Sequence, residues 1–147
     1  MLQELWRLLS SPPLERPSFS QVELRQINEA LSRLVLESSA IVRATVVTVD
    51  GLTRASFPSQ TAEDRISAMS AAMLSLGERI CSELGSGEMR YTIIAGAKTL
   101  QLLIVLSEDY VLELELRPNV SVDEVLNAIK ESTGPLLRAL RIETPTL

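Results

Sequence analysis

The chain of 147 residues contains no histidine, one cysteine and few aromatic side chains. Without histidine it lacks the commonest general base, and also the imidazole that activates serine and cysteine nucleophiles. A single cysteine, Cys81, excludes an intramolecular disulfide, is compatible with a reducing compartment and has no imidazole to activate it. We therefore expect a protein that is not an enzyme, with no cofactor and no metal site.

An excess of positive charge is also missing, because 14 basic residues stand against 19 acidic ones and the net charge is −5. Phosphate backbones and anionic membranes attract basic patches, so nucleic acid is not an expected partner. No apolar run approaches the ~20 residues that span a bilayer, and residues 1–11 lack the pattern of a signal peptide. We expect no membrane insertion and a cytoplasmic location.

What the chain does contain is a regular series of helix and strand patterns. A capping-box pattern at Ser20–Glu23 opens an amphipathic helix, and Asp50-Gly51 between β-branched runs indicates a hairpin. Thr61 is the predicted cap of a long helix. The predicted elements are, in order, a helix at Ser20–Ser38, strands at Ile41–Val49 and Leu52–Phe57, a helix at Glu63–Leu84, strands at Met89–Ala95, Leu100–Leu106 and Val111–Arg117, and a helix at Ser121–Leu140.

The order α-β-β-α-β-β-β-α predicts one α+β domain over residues 18–140. Short connections within each group of strands favour antiparallel neighbours in one five-stranded sheet. The strand Leu100–Leu106 is apolar at almost every position, so helices are expected on both faces. Residues 1–17, which include Trp6, are predicted to be a short helix and a proline-rich linker, and residues 141–147 a loose tail.

The central helix is unusual because residues 66–77 carry no charge. One apolar stripe is predicted to face the sheet, and it consists of Ile66, Met69, Met73, Leu76, Ile80 and Leu84. The opposite arc is small and uncharged, whereas exposed helix faces usually carry charge. We interpret this arc, Ser67, Ser70, Ala71 and Leu74, as the contact with the same helix of a second copy. The alternatives are burial within one protomer or an exposed alanine-rich face.

Three other motifs suggest chemistry but have simpler structural interpretations. Gly96-Ala97-Lys98-Thr99 resembles the end of a phosphate-binding loop, yet a strand follows it where that loop requires a helix. Glu113 and Glu115 lie on the same face of the last strand, which is expected to be partly exposed to water. Paired carboxylates catalyse only across a cleft, and the sequence does not reveal one. Asp50-Gly51 is accounted for by turn chemistry.

The segment Val46–Ser56, the uncharged helix after it and the order of elements together resemble the roadblock / dynein light-chain-7 family, whose fold is profilin-like. The resemblance covers about residues 20–140, and it is greatest to bacterial members related to a gliding-motility regulator of a Ras-like GTPase.

This resemblance implies a homodimer in which the central helices pack together and the strands at Met89–Ala95 pair across the two-fold axis. The implied interface therefore also contains Met89, Tyr91 and Ile93. It further implies a non-catalytic module that binds and regulates or scaffolds a small Ras-like GTPase. That partner is expected near the charged positions Asp64, Arg65 and Arg79. The competing predictions are a small-ligand sensor domain and an adaptor subunit of a larger complex.

Overall fold

The computed structural model describes residues 2–3 and 18–147. Trp6 and the predicted N-terminal helix and linker lie outside the described residues. From residue 18 onward the elements are α1 (Gln21–Leu36), β1 (Ile41–Thr48), β2 (Thr53–Phe57), α2 (Glu63–Leu84), β3 (Tyr91–Ala95), β4 (Leu100–Val105), β5 (Tyr110–Leu116), α3 (Val122–Ser132) and α4 (Gly134–Ala139). The predicted order of elements is confirmed, with α4 as a short addition.

One five-stranded antiparallel sheet runs through the domain in the order β2-β1-β5-β4-β3. β5 lies at its centre, where Leu112 pairs with Val46 of β1 and Leu114 pairs with Leu102 of β4. β2 and β3 form the two edges. Because each of these strands alternates its side chains between the two faces, one face of the sheet receives the leucines of β5 and the other receives Glu113 and Glu115.

Helices α1, α3 and α4 cover the leucine face of the sheet. The capping box of α1 forms as predicted, with the Glu23 amide donating to Ser20 Oγ (3.2 Å) and the Ser20 amide donating to Glu23 Oε2 (2.7 Å). Behind this cap, α1 buries residues at the spacing i, i+3, i+4, i+7, which places them on one helix face over the sheet. They are Ile27, Ala30, Leu31 and Leu34.

The predicted last helix is two helices, because Gly134 and Pro135 interrupt it. α3 ends at Ser132, the buried Thr133 follows it, and α4 starts again with proline in its first turn. A proline is tolerated there because the first helical amides have no intrahelical partner. The tail after residue 140 is not loose. The Thr146 amide donates to the Leu106 carbonyl (2.9 Å), and Ile142 and Leu147 pack against the core.

Among the described residues, α2 is the helix that covers the other face of the sheet. It starts without the predicted Thr61 cap, since Ala62 occupies the N-cap position and makes no side-chain hydrogen bond there. The Gln60 amide instead donates to the side chain of Glu63. At its other end, Gly85 adopts the left-handed conformation that terminates many helices. Leu74, Leu103 and Val111 form a small second core beneath α2.

Candidate functional site

The orientation of α2 on the sheet is the reverse of the sequence-based prediction. The residues that face the sheet and are buried are Ser67, Ser70 and Leu74. The sequence assigned these three to a contact with a second copy, and that assignment of the helix faces is wrong. Their side chains are already in contact with their own protomer and are not exposed to a partner helix. Ala71, from the same predicted arc, is half-buried.

The outward face of α2 carries an apolar stripe, which we call the outer stripe: Met69, Met73, Leu76 and Ile80. These residues were predicted to face the sheet. They are between 40% (Met73) and 55% (Met69) exposed, and Leu84 continues the stripe at the helix end. Their spacing of i, i+4, i+7 and i+11 keeps them on one side of the helix over about three turns. A run of exposed apolar side chains of this length is typical of an interaction surface.

Small polar side chains face the sheet because the sheet is polar where α2 crosses it. The hydroxyls of Ser67 and Thr53 lie 2.7 Å apart, and Ser70 Oγ donates to Glu113 Oε1 at 3.0 Å. Each buried hydroxyl therefore has a hydrogen-bond partner, which a buried polar group requires. Apolar periodicity alone could not reveal these partners, since they come from strands distant in the sequence.

The turn between β1 and β2 also requires small residues on α2. Gly51 has a φ of +91°, and a Cβ built on it would lie 3.0 Å from Ala68 Cα and 3.3 Å from Ala71 Cβ. The turn therefore touches the helix backbone. A larger side chain at Ala71 would push the hairpin away from α2.

Strand β3 is an edge of the sheet, with β4 on one side and no described strand on the other. Tyr91, Ile93 and Ile94 are all exposed there. An apolar edge strand with free amides and carbonyls is a template for pairing with another strand. The interface residues predicted on this strand, Tyr91 and Ile93, are thus accessible, and their role in a dimer stays a prediction.

The outer stripe lies on the side of α2 nearest to β3. Met89, just before β3, packs over Gly77, where a built Cβ would meet Met89 Sδ at 2.4 Å. On the helix, Gly77 stands four residues after Met73 and three before Ile80, so it borders the outer stripe. Met89 itself is half-buried against the core beneath α2 and sits between the two exposed apolar regions. The outer stripe and the β3 edge are neighbouring surfaces.

The charged positions predicted to meet a partner, Asp64, Arg65 and Arg79, are all exposed. None of them forms an ion pair with another described residue. They do not form one cluster, because Arg65 and Arg79 are separated by about 21 Å of helix at 1.5 Å per residue. Alanine and serine residues on the polar side of the helix lie between them: Ala68, Ala72 and Ser75.

The sequence analysis considered Glu113 only as one of two carboxylates on a partly wet strand face, and it did not predict the burial of this side chain. It is 5% exposed, and burial raises the pKa of its carboxyl group, while the hydrogen bond from Ser70 lowers that pKa by a smaller amount. Its Oε2 atom is buried and receives no hydrogen bond from any described residue. A cavity of about 120 Å³ lies beside this carboxylate.

A larger cavity, of about 600 Å³, lies at the C-terminal end of α2. Cys81 is part of its wall, together with three glutamates, Glu78, Glu88 and Glu108. Its size is that of many small-molecule sites. Within residues 2–3 and 18–147, no group of three or more Asp, Glu, Cys or His side chains could hold a metal ion. In the same part of the chain, no helix is long and apolar enough to cross a membrane.

Comparisons with known proteins agree with this geometry. The family model described as "Roadblock/LC7 domain" matches residues 27–113, more than half of the chain. Among solved structures, the gliding protein MglB from Thermus thermophilus is similar, with a TM-score of 0.71, 16% identity, and coverage of 86% of this chain and 98% of that one. Myxococcus xanthus MglB has a TM-score of 0.71 and 17% identity, and the match covers 90% of this chain and 100% of that one.

A Roadblock/LC7 domain from Streptomyces avermitilis is also similar, with a TM-score of 0.66, 18% identity, and coverage of 76% of this chain and 97% of that one. At these identities the solved structures establish the shared fold. A search of curated protein sequences found no significant match.

Proposed function

Because this chain belongs to the Roadblock/LC7 domain family, we propose that it is a non-catalytic homodimeric module that binds a small Ras-like GTPase and regulates or scaffolds it. The observation that carries the proposal is the exposed outer stripe of α2 beside the free edge of β3. Both features are costly for a lone protomer in water, and a second copy covers both at once.

The proposed dimer places α2 against the α2 of a second copy and β3 against its β3. Two-fold symmetry requires each surface to meet itself, and both surfaces can do so. Apolar side chains of the outer stripe, such as Met73 and Leu76, pack well against their own kind, and an edge strand supplies backbone donors and acceptors to an antiparallel copy. In such an arrangement the two sheets join into one of ten strands.

The GTPase is proposed to bind on the polar side of α2, which the dimer leaves accessible. Arg65 and Arg79 are exposed there and unpaired within the described residues, so they are free to contact acidic side chains of a partner. Asp64 is also exposed beside Arg65 and offers the opposite charge. The small residues between the two arginines allow a partner backbone to approach α2 closely.

The test is direct binding to a Ras-like GTPase from the same genome, loaded with GDP or with a non-hydrolysable GTP analogue. We expect binding that depends on the nucleotide, and Arg65→Glu combined with Arg79→Glu should weaken it at least tenfold. Arg25→Glu, at an exposed position of α1 on the other face of the sheet, is the matched control and should bind normally. No binding in either nucleotide state, or equal binding by all variants, contradicts the proposed GTPase surface.

An adaptor subunit is the second candidate, and the same experiment separates it from the first. An adaptor retains the dimer but shows no dependence on the nucleotide state. The cavity at Cys81 is the feature that favours a small-ligand sensor, since its volume is about 600 Å³. A sensor would show a ligand-dependent rise in melting temperature that a substitution at that cavity abolishes.

A further inference from the structure

The polar cavity beneath the N-terminal half of α2 is separate from the surfaces assigned above. Its walls come from three strands and from α2 and the segment before it. The polar side chains in the wall are Arg43, Thr45, Gln60, Gln101, Glu113 and Glu115. At about 120 Å³, it has room for about four water-sized groups at ~30 Å³ each.

Glu113 is the buried carboxylate in the wall of this cavity. It lies on the central strand β5, is 5% exposed, and uses one carboxylate oxygen to accept the Ser70 hydrogen bond at 3.0 Å. The other oxygen, Oε2, is equally buried and receives no hydrogen bond from the described part of the chain. A buried carboxylate oxygen in this position calls for a donor or a cation beside it.

The neighbouring charges leave Glu113 uncompensated. Arg43 is the nearby cation, but its Nε contacts Glu115 Oε2 at 3.3 Å and its guanidinium also donates to the Pro58 carbonyl. Arg43 and Glu115 therefore neutralise each other. When Glu113 is ionised, the three side chains carry a net charge of −1, which one monovalent cation balances.

The donor chemistry selects the kind of cation. Carboxylate, hydroxyl and amide oxygens from Glu113, Thr45 and Gln101 are hard ligands, and the wall contains no sulfur and no imidazole. Divalent ions generally require more carboxylates than the single uncompensated one here. We propose that this cavity is a binding site for one partly hydrated alkali cation, Na⁺ or K⁺, held against Glu113 Oε2.

A bound cation at this position contacts residues of strands β1, β4 and β5 beneath α2, and so it stabilises the packing of α2 against the sheet. A proton competes for the same oxygen, and burial already raises the pKa of Glu113. The effect of the cation is therefore expected to be largest at mildly alkaline pH. The proposal does not depend on a GTPase partner or on dimerisation.

The experiment measures thermal unfolding of the full chain at mildly alkaline pH in sodium, potassium or choline chloride at equal ionic strength, so that general screening is the same. Choline cannot replace an alkali ion here, because four alkyl groups surround its positive nitrogen and keep it from direct contact with the carboxylate oxygen. We expect a saturable rise in melting temperature of about 2–4 °C with Na⁺ or K⁺ over choline. Glu113→Gln, which keeps the side-chain shape, should abolish this rise, and Glu131→Gln on the exposed face of α3 should retain it.

Equal melting temperatures in alkali and choline salts would overturn the proposal, and so would an unchanged cation response in Glu113→Gln. A second measurement does not depend on a variant that folds. In crystals of the wild-type protein grown or soaked with rubidium, an anomalous peak is expected in the cavity beside Glu113 Oε2. If K⁺ raises the melting temperature, a well-ordered cavity without that peak contradicts the proposal.

Discussion

Substituting Leu76 with glutamate tests the outer stripe of α2 as the dimer contact. Leu76 is 54% exposed in the protomer. Full burial of a leucine side chain stabilises by about 2 kcal/mol, so burying the remaining half contributes about 1 kcal/mol per copy. The substitution removes that contribution twice in a symmetric dimer. It also brings two carboxylates together at the interface, and leaving each poorly solvated costs a further ~1 kcal/mol or more.

These contributions sum to about 4 kcal/mol, which corresponds to roughly a thousandfold increase in Kd at 1.4 kcal/mol per tenfold. Sedimentation equilibrium over a wide concentration range measures this constant directly. Glutamate has good helix propensity, and the position is outside the core, so circular dichroism should show a folded chain. The neighbouring Ser75→Glu places the same charge on the polar side of α2 and should leave the Kd unchanged.

Leu74→Glu distinguishes the observed orientation of α2 from its reverse. Leu74 packs against Leu103 and Val111 beneath the helix, so a charge there should unfold the protomer and not merely dissociate it. A folded monomer from Leu74→Glu, together with an intact dimer from Leu76→Glu, would refute the reasoning about both faces of the helix.

Two further predictions concern the sheet side of α2. Gly51→Ala should lower the free energy of unfolding by about 2–3 kcal/mol, because the turn has a positive φ and the added methyl meets the α2 backbone. The control Gly87→Ala has a similar φ of +84° and open space around it, so it should lower the free energy of unfolding by only about 1 kcal/mol. Equal losses for the two variants in urea denaturation would show that the close approach of the turn to α2 is unimportant. In choline buffer, Glu113→Gln should be more stable than the wild type by about 1–3 kcal/mol at mildly alkaline pH. The folded-state pKa of Glu113 is raised above its ordinary value of 4.5. Ionisation of Glu113 therefore destabilises the folded wild-type chain as the pH rises from 4.5 through the raised pKa. The stability advantage of Glu113→Gln over the wild type should accordingly vanish as the pH falls toward 4.5. Parallel pH–stability curves for the two proteins contradict this.

The fold could be predicted from local patterns because each element carries its own signal. The capping box before α1 and the turn glycine after β1 depend on neighbours within four residues, and both form as expected. The apolar strand Leu100–Leu106 indicated helices on both faces, and the structure has them. The break of the last helix at Gly134-Pro135 was also visible in the sequence, since proline favours the start of a helix. The prediction nevertheless gave one continuous helix across these two residues.

The orientation of α2 could not be predicted from its own residues. Apolar periodicity identifies a stripe, and in a single amphipathic helix that stripe normally faces the core. α2 has two candidate faces, and the choice depends on what lies beneath. Ser70 is buried because Glu113 is there to accept its hydrogen bond, and this partner is 43 residues away in the sequence. The burial of Glu113 was missed for the same reason.

The two faces of α2 are linked by the closeness of the helix to the sheet. Gly51 approaches the helix backbone at Ala68, and Ser67 bonds Thr53 across the same contact. A helix held this close presents the small side chains of Ser67 and Ser70 to the sheet, and Leu74 is its first long side chain to be buried. The long apolar side chains of the outer stripe therefore point outward, where no described part of the protomer buries them. The same packing that holds α2 against its own sheet thus leaves the outer stripe exposed, and in the proposed dimer a second copy covers it.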